Sequence, residues 1–266
     1  MCMKIVSIFN QKGGVGKTTT SINLSSYLAI QGYKVLDIDI DPQGNTTSGL
    51  GFDKAAIEES IYDVLTSDIE LDDVIRKCEL IDNFYAAPSN MELAGAEVEL
   101  INKNERESIL KKKINNLKQE FDFIFIDCPP SLGLLTINAL TCSNSVLIPI
   151  QCEFYALEGV GQLVNTIQLI KRSLNQDIEV EGVVVSMYDG RTKLSSDVLK
   201  EVKKYFKDKV YKTLIPRNVR LAEAPSFGLP IVLYDDKCRG AKAYSNLTKE
   251  FLSRQSQIKR SEKLIE

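Results

Sequence analysis

The chain has 266 residues, 44% of them hydrophobic and 26% charged, and a net charge of −3 at pH 7. This composition is ordinary for a globular protein, and no apolar stretch approaches the ~20 residues of a membrane helix. No histidine is present, which excludes the commonest general base and leaves catalysis to carboxylates, lysines and phosphate contacts. The N-terminus lacks the long apolar stretch of a signal peptide, so we expect a cytoplasmic protein.

The six cysteines argue against two kinds of site. No two of them are spaced as Cys-x-x-Cys, and no histidine is present to join a zinc site. A disulfide framework is not expected in a reducing compartment. We interpret most of these cysteines, at positions 2, 78, 128, 142, 152 and 238, as small core residues.

Short β-branched segments alternate with longer helical patterns along the chain. Strands are predicted at residues 4–10, 34–40, 84–87, 121–127, 145–150, 180–187 and 210–215, and helices at residues 17–31, 105–118, 157–173 and 195–206. Several strands are continuous apolar runs, typical of parallel strands covered on both faces. The pattern predicts an α/β fold, a doubly wound, mostly parallel sheet with helices on both faces. We expect one domain over residues 1–252 and a polar tail over residues 253–266.

The first strand leads directly into the loop Gln-Lys-Gly-Gly-Val-Gly-Lys-Thr-Thr, residues 11–19, and then into a helical pattern. Strand, glycine-rich turn and helix in this order are the context of a phosphate-binding P-loop. The loop departs from Gly-x-x-x-x-Gly-Lys-Thr at Gln11, so a turn that binds nothing is the alternative. Lys17 is expected to reach the β- and γ-phosphates, and the Thr18 hydroxyl to bind Mg²⁺. The predicted phosphate contacts of the loop are Gly13, Gly14, Val15, Gly16, Lys17, Thr18 and Thr19.

Carboxylates follow on two later strands. Asp37, Asp39 and Asp41 alternate along the predicted strand 34–40 and just past its end, so they share one face. Asp41 lies where open α/β sheets bind their ligands, and we predict that it orients the attacking water while Asp39 supports Mg²⁺. Asp127 ends the apolar strand 121–127, the Walker B position that orders Mg²⁺. The alternatives are surface charges for the first three aspartates and a turn cap for Asp127.

These motifs, together with later segments, resemble the ParA/Soj family of deviant Walker A ATPases over nearly the whole chain. The matching segments are residues 10–20, 41–45, 93–97, 126–133, 149–159 and 215–226. The resemblance implies an ATP- and Mg²⁺-dependent ATPase whose ATP-bound form is a homodimer that binds double-stranded DNA without sequence preference. It further implies that a ParB-like centromere-binding protein stimulates slow hydrolysis, which drives chromosome or plasmid segregation on the nucleoid.

The resemblance also assigns individual residues. Lys12 matches the signature lysine that reaches the nucleotide of the partner subunit, and Pro216 and Asn218 match positions near the adenine ring. Arg191 and Arg220 match arginines implicated in DNA contact, and Arg217 lies near Arg220. The sequence departs from the family at three places: Asp37 stands where relatives usually carry an apolar residue, Gly190 replaces a common alanine, and the polar tail is longer. Without the resemblance, the loop arginines are more simply solvated side chains.

Four other functions are less compatible with the sequence. A MinD-like membrane-cycling ATPase needs a basic amphipathic C-terminal helix, and residues 251–266 have too few apolar side chains for a continuous stripe. A metal-cluster carrier of the same superfamily needs suitably spaced cysteines. A small-molecule kinase has no acceptor-site signature here. A partition protein with its own operator-binding domain is disfavoured because the P-loop begins by residue 12.

Overall fold

The computed structural model describes the backbone of residues 3–153 and 159–262, and the side chains as far as residue 257. Within these ranges the core is a seven-stranded sheet of order β3-β4-β2-β5-β1-β6-β7. The strands are β1 Lys4–Ile8, β2 Val35–Asp39, β3 Arg76–Lys77, β4 Phe84–Ala87, β5 Phe123–Asp127, β6 Ser145–Gln151 and β7 Glu179–Ser186. Neighbouring strands are parallel except at the β3–β4 edge, which is antiparallel. The predicted fold class is confirmed.

Helices join the strands and cover both faces of the sheet. In chain order they are α1 Lys17–Ile30, α2 Asn45–Gly49, α3 Ile61–Thr66, α4 Leu71–Val74, α5 Leu93–Glu99, α6 Ile109–Asn115, α7 Leu134–Cys142, α8 Val160–Ser173, α9 Lys193–Phe206, α10 Val219–Glu223, α11 Ile231–Tyr234 and α12 Arg239–Glu262. Among the described residues, no helix is long and apolar enough to cross a membrane.

The period-2 alternation of the central strands divides the core into two clusters. On β5, Ile124 and Ile126 pack in one cluster, whereas Phe123 and Phe125 pack in the other with Phe251 of α12. Because every central strand contributes buried side chains to both clusters, strands with continuous apolar runs are stable here. The carboxyl ends of β1, β2 and β5 meet at one edge of this doubly covered sheet.

The predicted helix boundaries agree with the structure where a local signal marks them and disagree elsewhere. α1 begins at Lys17 and ends at Ile30, and Gly32 follows with a φ of 92°, the left-handed conformation that terminates helices. The helix predicted at 105–118 is shorter, since α6 covers only Ile109–Asn115. α8 begins at Val160, and the first residues of the helix predicted at 157–173 lie outside the described residues.

The predicted strand at residues 210–215 is wrong. The segment lies beside β7, but only isolated bridges join Val183 to Val210 and Tyr188 to Pro216. Between them, the backbone N–H groups of Lys212 and Thr213 donate to the Glu250 carboxylate of α12 at 2.8 and 2.9 Å. A side-chain acceptor therefore replaces the strand partner, which prevents a continuous ladder.

The last helix runs past the expected start of the polar tail at residue 253. α12 extends from Arg239 to Glu262, and Gln255 within it is buried. Its amide donates to Glu181 of β7, a buried carboxylate that also accepts from Ser145 at 2.6 Å and pairs with Lys4 at 3.2 Å. This polar network fixes the C-terminal part of α12 to the sheet.

Candidate active site

The glycine-rich loop lies between the carboxyl end of β1 and the first turn of α1. Gly14 and Gly16 have φ values of 72° and 90°, which residues with a Cβ rarely adopt. The Val15 carbonyl accepts a hydrogen bond of 2.7 Å from the Ser186 hydroxyl at the end of β7. The loop is therefore fixed against the sheet, and its backbone N–H groups precede a helix N-terminus suited to an anion.

The two lysines of the loop point to different partners. The Lys17 side chain is buried, and its ammonium donates to the Lys12 carbonyl at 3.2 Å, across the interior of the loop. Burial lowers the pKa of Lys17, although Asp127 opposes the effect. The Lys12 ammonium instead forms an ion pair of 3.1 Å with Glu153, and both of these side chains are exposed. Lys17 is thus placed inside the loop and Lys12 outside it.

Asp39 and Asp127 lie side by side, since they are register partners at the ends of β2 and β5. Each is almost completely buried and bonded to threonine hydroxyls. Asp127 Oδ2 accepts from Thr18 at 2.7 Å and from Thr46 at 2.8 Å, and Asp39 Oδ2 accepts from the Thr47 hydroxyl at 2.7 Å. Burial raises the pKa of both carboxyl groups, and repulsion from Asp127 adds to the effect on Asp39.

The donor set of this cluster fits Mg²⁺. Asp127 Oδ1 is buried and accepts no hydrogen bond from any described residue, so one carboxylate oxygen is left for a cation. The described residues contain no group of three or more His, Cys, Asp or Glu arranged to hold a metal by themselves. This agrees with Mg²⁺ chemistry, because the ion is usually held by one or two protein oxygens together with substrate phosphates and water.

Asp41 begins the turn that follows β2. Its Oδ1 accepts from the Gln43 N–H at 2.9 Å, and its own N–H donates to Asp39 Oδ1 at 3.2 Å. The turn closes at Gly44, with a φ of 60°, where an added Cβ would meet the Ser89 carbonyl oxygen at 2.9 Å. Only glycine fits this position, and the turn therefore holds Asp41 beside the carboxylate pair.

Asp37 is fully buried, so the alternative of a surface charge is wrong for this residue. Its partner is Ser21 of α1, whose hydroxyl lies 2.7 Å from Oδ1 and 3.0 Å from Oδ2. Burial raises the pKa of Asp37 well above its ordinary value, and the neighbouring Asp127 and Asp39 add to the effect. Asp37 therefore connects β2 to the helix that carries Lys17 and Thr18.

The segment with Pro216 and Asn218 lies next to the end of β7. The Tyr188 N–H donates to the Ile215 carbonyl at 2.9 Å, and the Arg217 N–H donates to the Tyr188 carbonyl at 3.2 Å. Asn218 caps α10 by accepting from the Arg220 N–H at 2.8 Å, which leaves its amide group available as a donor. Since Ser186 contacts the glycine-rich loop and Tyr188 contacts this segment, the loop and the segment lie at the same end of β7.

The three predicted arginines are exposed but differ in their surroundings. Arg191 makes a two-point contact with Asp189, at 2.9 and 2.7 Å, which holds the pKa of Asp189 at about 2. Arg220 pairs with Glu223 at 2.9 Å and with Asp235 at 3.5 Å. Arg217 makes no ion pair with any described carboxylate and lines, with Arg191 and Arg239, a cleft of about 610 Å³.

Several residues of the site were not predicted from the sequence. Thr46 and Thr47 bond to the paired carboxylates, Ser186 holds the loop, Glu153 pairs with Lys12, and Arg239 lines the cleft. The two threonines follow directly after the Asp-Pro-Gln-Gly-Asn segment and lie in the short helix α2, which is a usable local signal. Glu153 and Arg239 are far from their partners along the chain, so no local pattern indicates them.

Comparison with known proteins agrees with this geometry. A family model described as an AAA domain matches residues 3–180. The sporulation initiation inhibitor protein Soj of Bacillus subtilis is 58% identical over 93% of this chain and 97% of its own length. The chromosome-partitioning ATPase Soj of Treponema pallidum is 48% identical over 96% and 99%.

Solved structures agree in fold. Cobyrinic acid a,c-diamide synthase from Mycobacterium smegmatis with bound ADP and magnesium has a TM-score of 0.83 and 36% identity, with 96% of each chain covered. A plasmid partition protein from Borrelia burgdorferi has a TM-score of 0.74 and 26% identity, with 94% of this chain and 98% of that chain covered. The chain has the fold of P-loop ATPases and uses ATP with Mg²⁺. It belongs to the ParA/Soj family of chromosome-partitioning ATPases.

Proposed function

We propose that this ATPase binds DNA without sequence preference as an ATP-bound dimer and so moves chromosomes or plasmids on the nucleoid. The observation that carries the proposal is the opposite placement of the two loop lysines. Lys17 is buried inside its own loop, whereas Lys12 extends outward to the exposed Glu153. An exposed lysine on the rim of a phosphate loop can neutralise a phosphate that arrives from outside, such as that of a second subunit.

In the proposed hydrolytic reaction each residue has one task. Gly13, Gly14, Val15, Gly16 and Thr19 form the phosphate cradle, and Lys17 holds the β- and γ-phosphates. Thr18 and Asp127 would hold Mg²⁺, and Asp39 would stabilise that arrangement from the adjacent strand. The ion, when bound, would supply neutralisation of the charge that develops on the phosphate oxygens. Asp41, fixed by its turn beside this cluster, positions the attacking water.

The proposed sites for the adenine base and for DNA lie on neighbouring surfaces. Pro216 and Asn218 lie at the same end of β7 as the loop and receive the adenine, for which the Asn218 amide is a suitable donor. Arg191 and Arg217 share one cleft, and Arg220 follows in the next helix. A chain of net charge −3 needs such a local basic surface to bind DNA, and dimerisation would double it. This doubling is the physical reason for ATP-dependent DNA binding.

A ParB-like centromere-binding protein is the proposed stimulating partner. The support is the similarity to chromosome-partitioning relatives together with the exposed Lys12–Glu153 pair. Because this ion pair is accessible, a bound protein can alter it and thereby change the position of Lys12. Exposed pairs of this kind contribute only about 0–1 kcal/mol, so a partner can break the pair at small cost.

Substitution of Asp41 tests the proposal. Asp41→Ala and Asp41→Asn should bind ATP normally, hydrolyse it at least about 100-fold more slowly and accumulate as dimers on DNA, because the loss falls on the chemical step. The Asn variant keeps the acceptor for the Gln43 N–H, which separates the turn from the chemistry. Asp53→Ala, which removes a similar exposed cap, is the control. Weakened ATP binding with normal turnover at saturation would show that Asp41 has another role.

A further inference from the structure

The segment after α9 departs from strand geometry in a specific way. The Tyr211 N–H donates to the Val183 carbonyl at 2.9 Å, and the Ile215 N–H donates to the Val185 carbonyl at 2.9 Å. The segment therefore advances from Tyr211 to Ile215 while β7 advances only from Val183 to Val185. The surplus residues between these two bonds bulge away from the sheet, which leaves their backbone N–H groups without strand partners.

The carboxylate of Glu250 on α12 replaces the backbone acceptors that a partner strand would supply to this segment. It accepts from the Lys212 N–H at 2.8 Å, and from the N–H and the hydroxyl of Thr213 at 2.9 Å each. Arg254, one turn further along α12, pairs with it at 3.0 Å. Burial alone would raise the pKa of Glu250, but these donated hydrogen bonds hold it below its ordinary value. The carboxylate therefore remains ionised in the bulge.

Arg254 holds the beginning of the same segment. Its guanidinium donates to the Val210 carbonyl at 2.9 Å and lies 3.9 Å from the centre of the Tyr211 ring. α12 thus contacts the segment at its start through Arg254 and at the bulge through Glu250. The length and shape of the segment between β7 and α12 are fixed by these two side chains.

The bulge determines which residues reach the glycine-rich loop. Directly after it, Ile215 and Arg217 bond to the backbone of Tyr188, and Pro216 lies opposite Tyr188. Tyr188 follows Ser186, which bonds to the loop at Val15. If the bulge were absorbed into a regular ladder, Pro216 and Asn218 would shift along β7 and away from their present place beside the loop.

We propose that Glu250 is a positioning residue for the nucleotide base: by stabilising the bulge at Lys212 and Thr213, it sets Pro216 and Asn218 at the distance from the glycine-rich loop that adenine requires. The inference rests on the proposed assignment of Pro216 and Asn218 to the base. Glu250 itself does not touch the nucleotide. Its loss should therefore weaken recognition of the base and leave recognition of the phosphates unchanged.

Calorimetric titration with ADP, GDP and inorganic pyrophosphate, each with Mg²⁺, tests this proposal. ADP and pyrophosphate are used because they lack the γ-phosphate of ATP and report on a single subunit. In Glu250→Gln one carboxylate oxygen becomes an amide NH₂ group, which cannot accept a hydrogen bond from a backbone N–H. The bulge should therefore lose its stabilising contact and shift towards regular strand pairing. ADP affinity should then fall about tenfold, in line with the loss of a charged hydrogen-bond acceptor, and the preference for ADP over GDP should shrink. Pyrophosphate affinity should change by less than about twofold, because the loop itself is untouched.

Three further variants make the test decisive. Thr213→Val removes one hydrogen bond of the bulge without touching α12, and it should show a smaller change in the same direction. Lys249→Gln on the exposed side of α12 should leave the affinity for all three ligands unchanged.

The outcomes separate the positioning role from the base assignment. If Asn218→Ala selectively weakens ADP binding while Glu250→Gln and Thr213→Val do not, the positioning role is wrong. If Asn218→Ala leaves the ADP-to-GDP preference unchanged, the base assignment itself is wrong. Equal losses for ADP and pyrophosphate in Glu250→Gln would indicate a general folding defect and also contradict the proposal.

Discussion

At the scale of single residues, the proposed function depends most on the contrast between Lys12 and Lys17. Both are lysines of one loop, but Lys17 is buried across the loop and Lys12 is paired with Glu153 at its rim. Lys12 contacts Lys17 through its backbone carbonyl and not through its side chain. The side chain of Lys12 can therefore be removed without loss of the contact that holds Lys17.

Lys12→Ala should accordingly bind nucleotide with near-normal affinity but fail to dimerise with ATP. The physical reason is that two nucleotides brought face to face carry repelling phosphates, which the outward lysine is placed to neutralise. Nucleotide binding by fluorescence and dimerisation by sedimentation velocity measure the two effects separately. Lys200→Ala, an exposed lysine of α9 that also pairs with a carboxylate, is the matched control. A Lys12→Ala protein that dimerises and hydrolyses ATP like the wild type would disprove the role across the dimer.

At the scale of elements, the Asp37–Ser21 contact joins β2 to α1 inside the core. The raised pKa of Asp37 has a defined effect on stability. In the unfolded chain its carboxyl ionises near pH 3.9, so above that pH the unfolded state loses a proton that the folded state keeps. The free energy of unfolding therefore falls as the pH rises towards the folded-state pKa.

Asp37→Asn keeps an acceptor for Ser21 but cannot ionise. We expect it to be more stable than the wild type at pH 8 by about 1–2 kcal/mol, with the difference disappearing near pH 4. Urea unfolding between pH 4 and pH 8 measures this, and Asp68→Asn controls for the loss of one exposed carboxylate. A difference that stays constant over the whole pH range would show that Asp37 does not retain its proton in the folded state.

The elements that the sequence predicted best are those with local causes. The glycine-rich loop, α1 and the strands that end in Asp39 and Asp127 follow from apolar runs, glycines and strand-end carboxylates that are adjacent in the chain. The segment at residues 210–215 has an equally β-like pattern, but two of its backbone N–H groups donate to the carboxylate of Glu250, which is distant in sequence. The two-residue strand Arg76–Lys77 is too short to produce a period. Tertiary partners, which no single-sequence pattern contains, decided both cases.

At the scale of the whole molecule, the sheet places the phosphate loop, the carboxylates and the Pro216 segment along one edge. The cleft that contains Arg191, Arg217 and Arg239 opens beside that Pro216 segment. This placement suits the proposed coupling of nucleotide state to DNA affinity, because the two sites need no large rearrangement inside one subunit. We propose that the coupling comes from the second subunit, which would add its own basic cleft when ATP is bound.

DNA affinity measured over a salt series with ATP, with ADP and without nucleotide tests this claim most directly. We expect strong binding only with ATP, equal for unrelated duplex sequences, with a slope of log affinity against log salt of about −0.9 per phosphate contacted. Arg191→Ala, Arg217→Ala and Arg220→Ala should each flatten that slope and weaken all sequences alike, whereas ATP-driven dimerisation should persist. Lys111→Ala on α6 is the control for a lost surface charge. Equal affinity with ATP and ADP, or an unchanged slope when all three arginines are replaced, would show that ATP-driven dimerisation does not create the DNA-binding surface at these arginines.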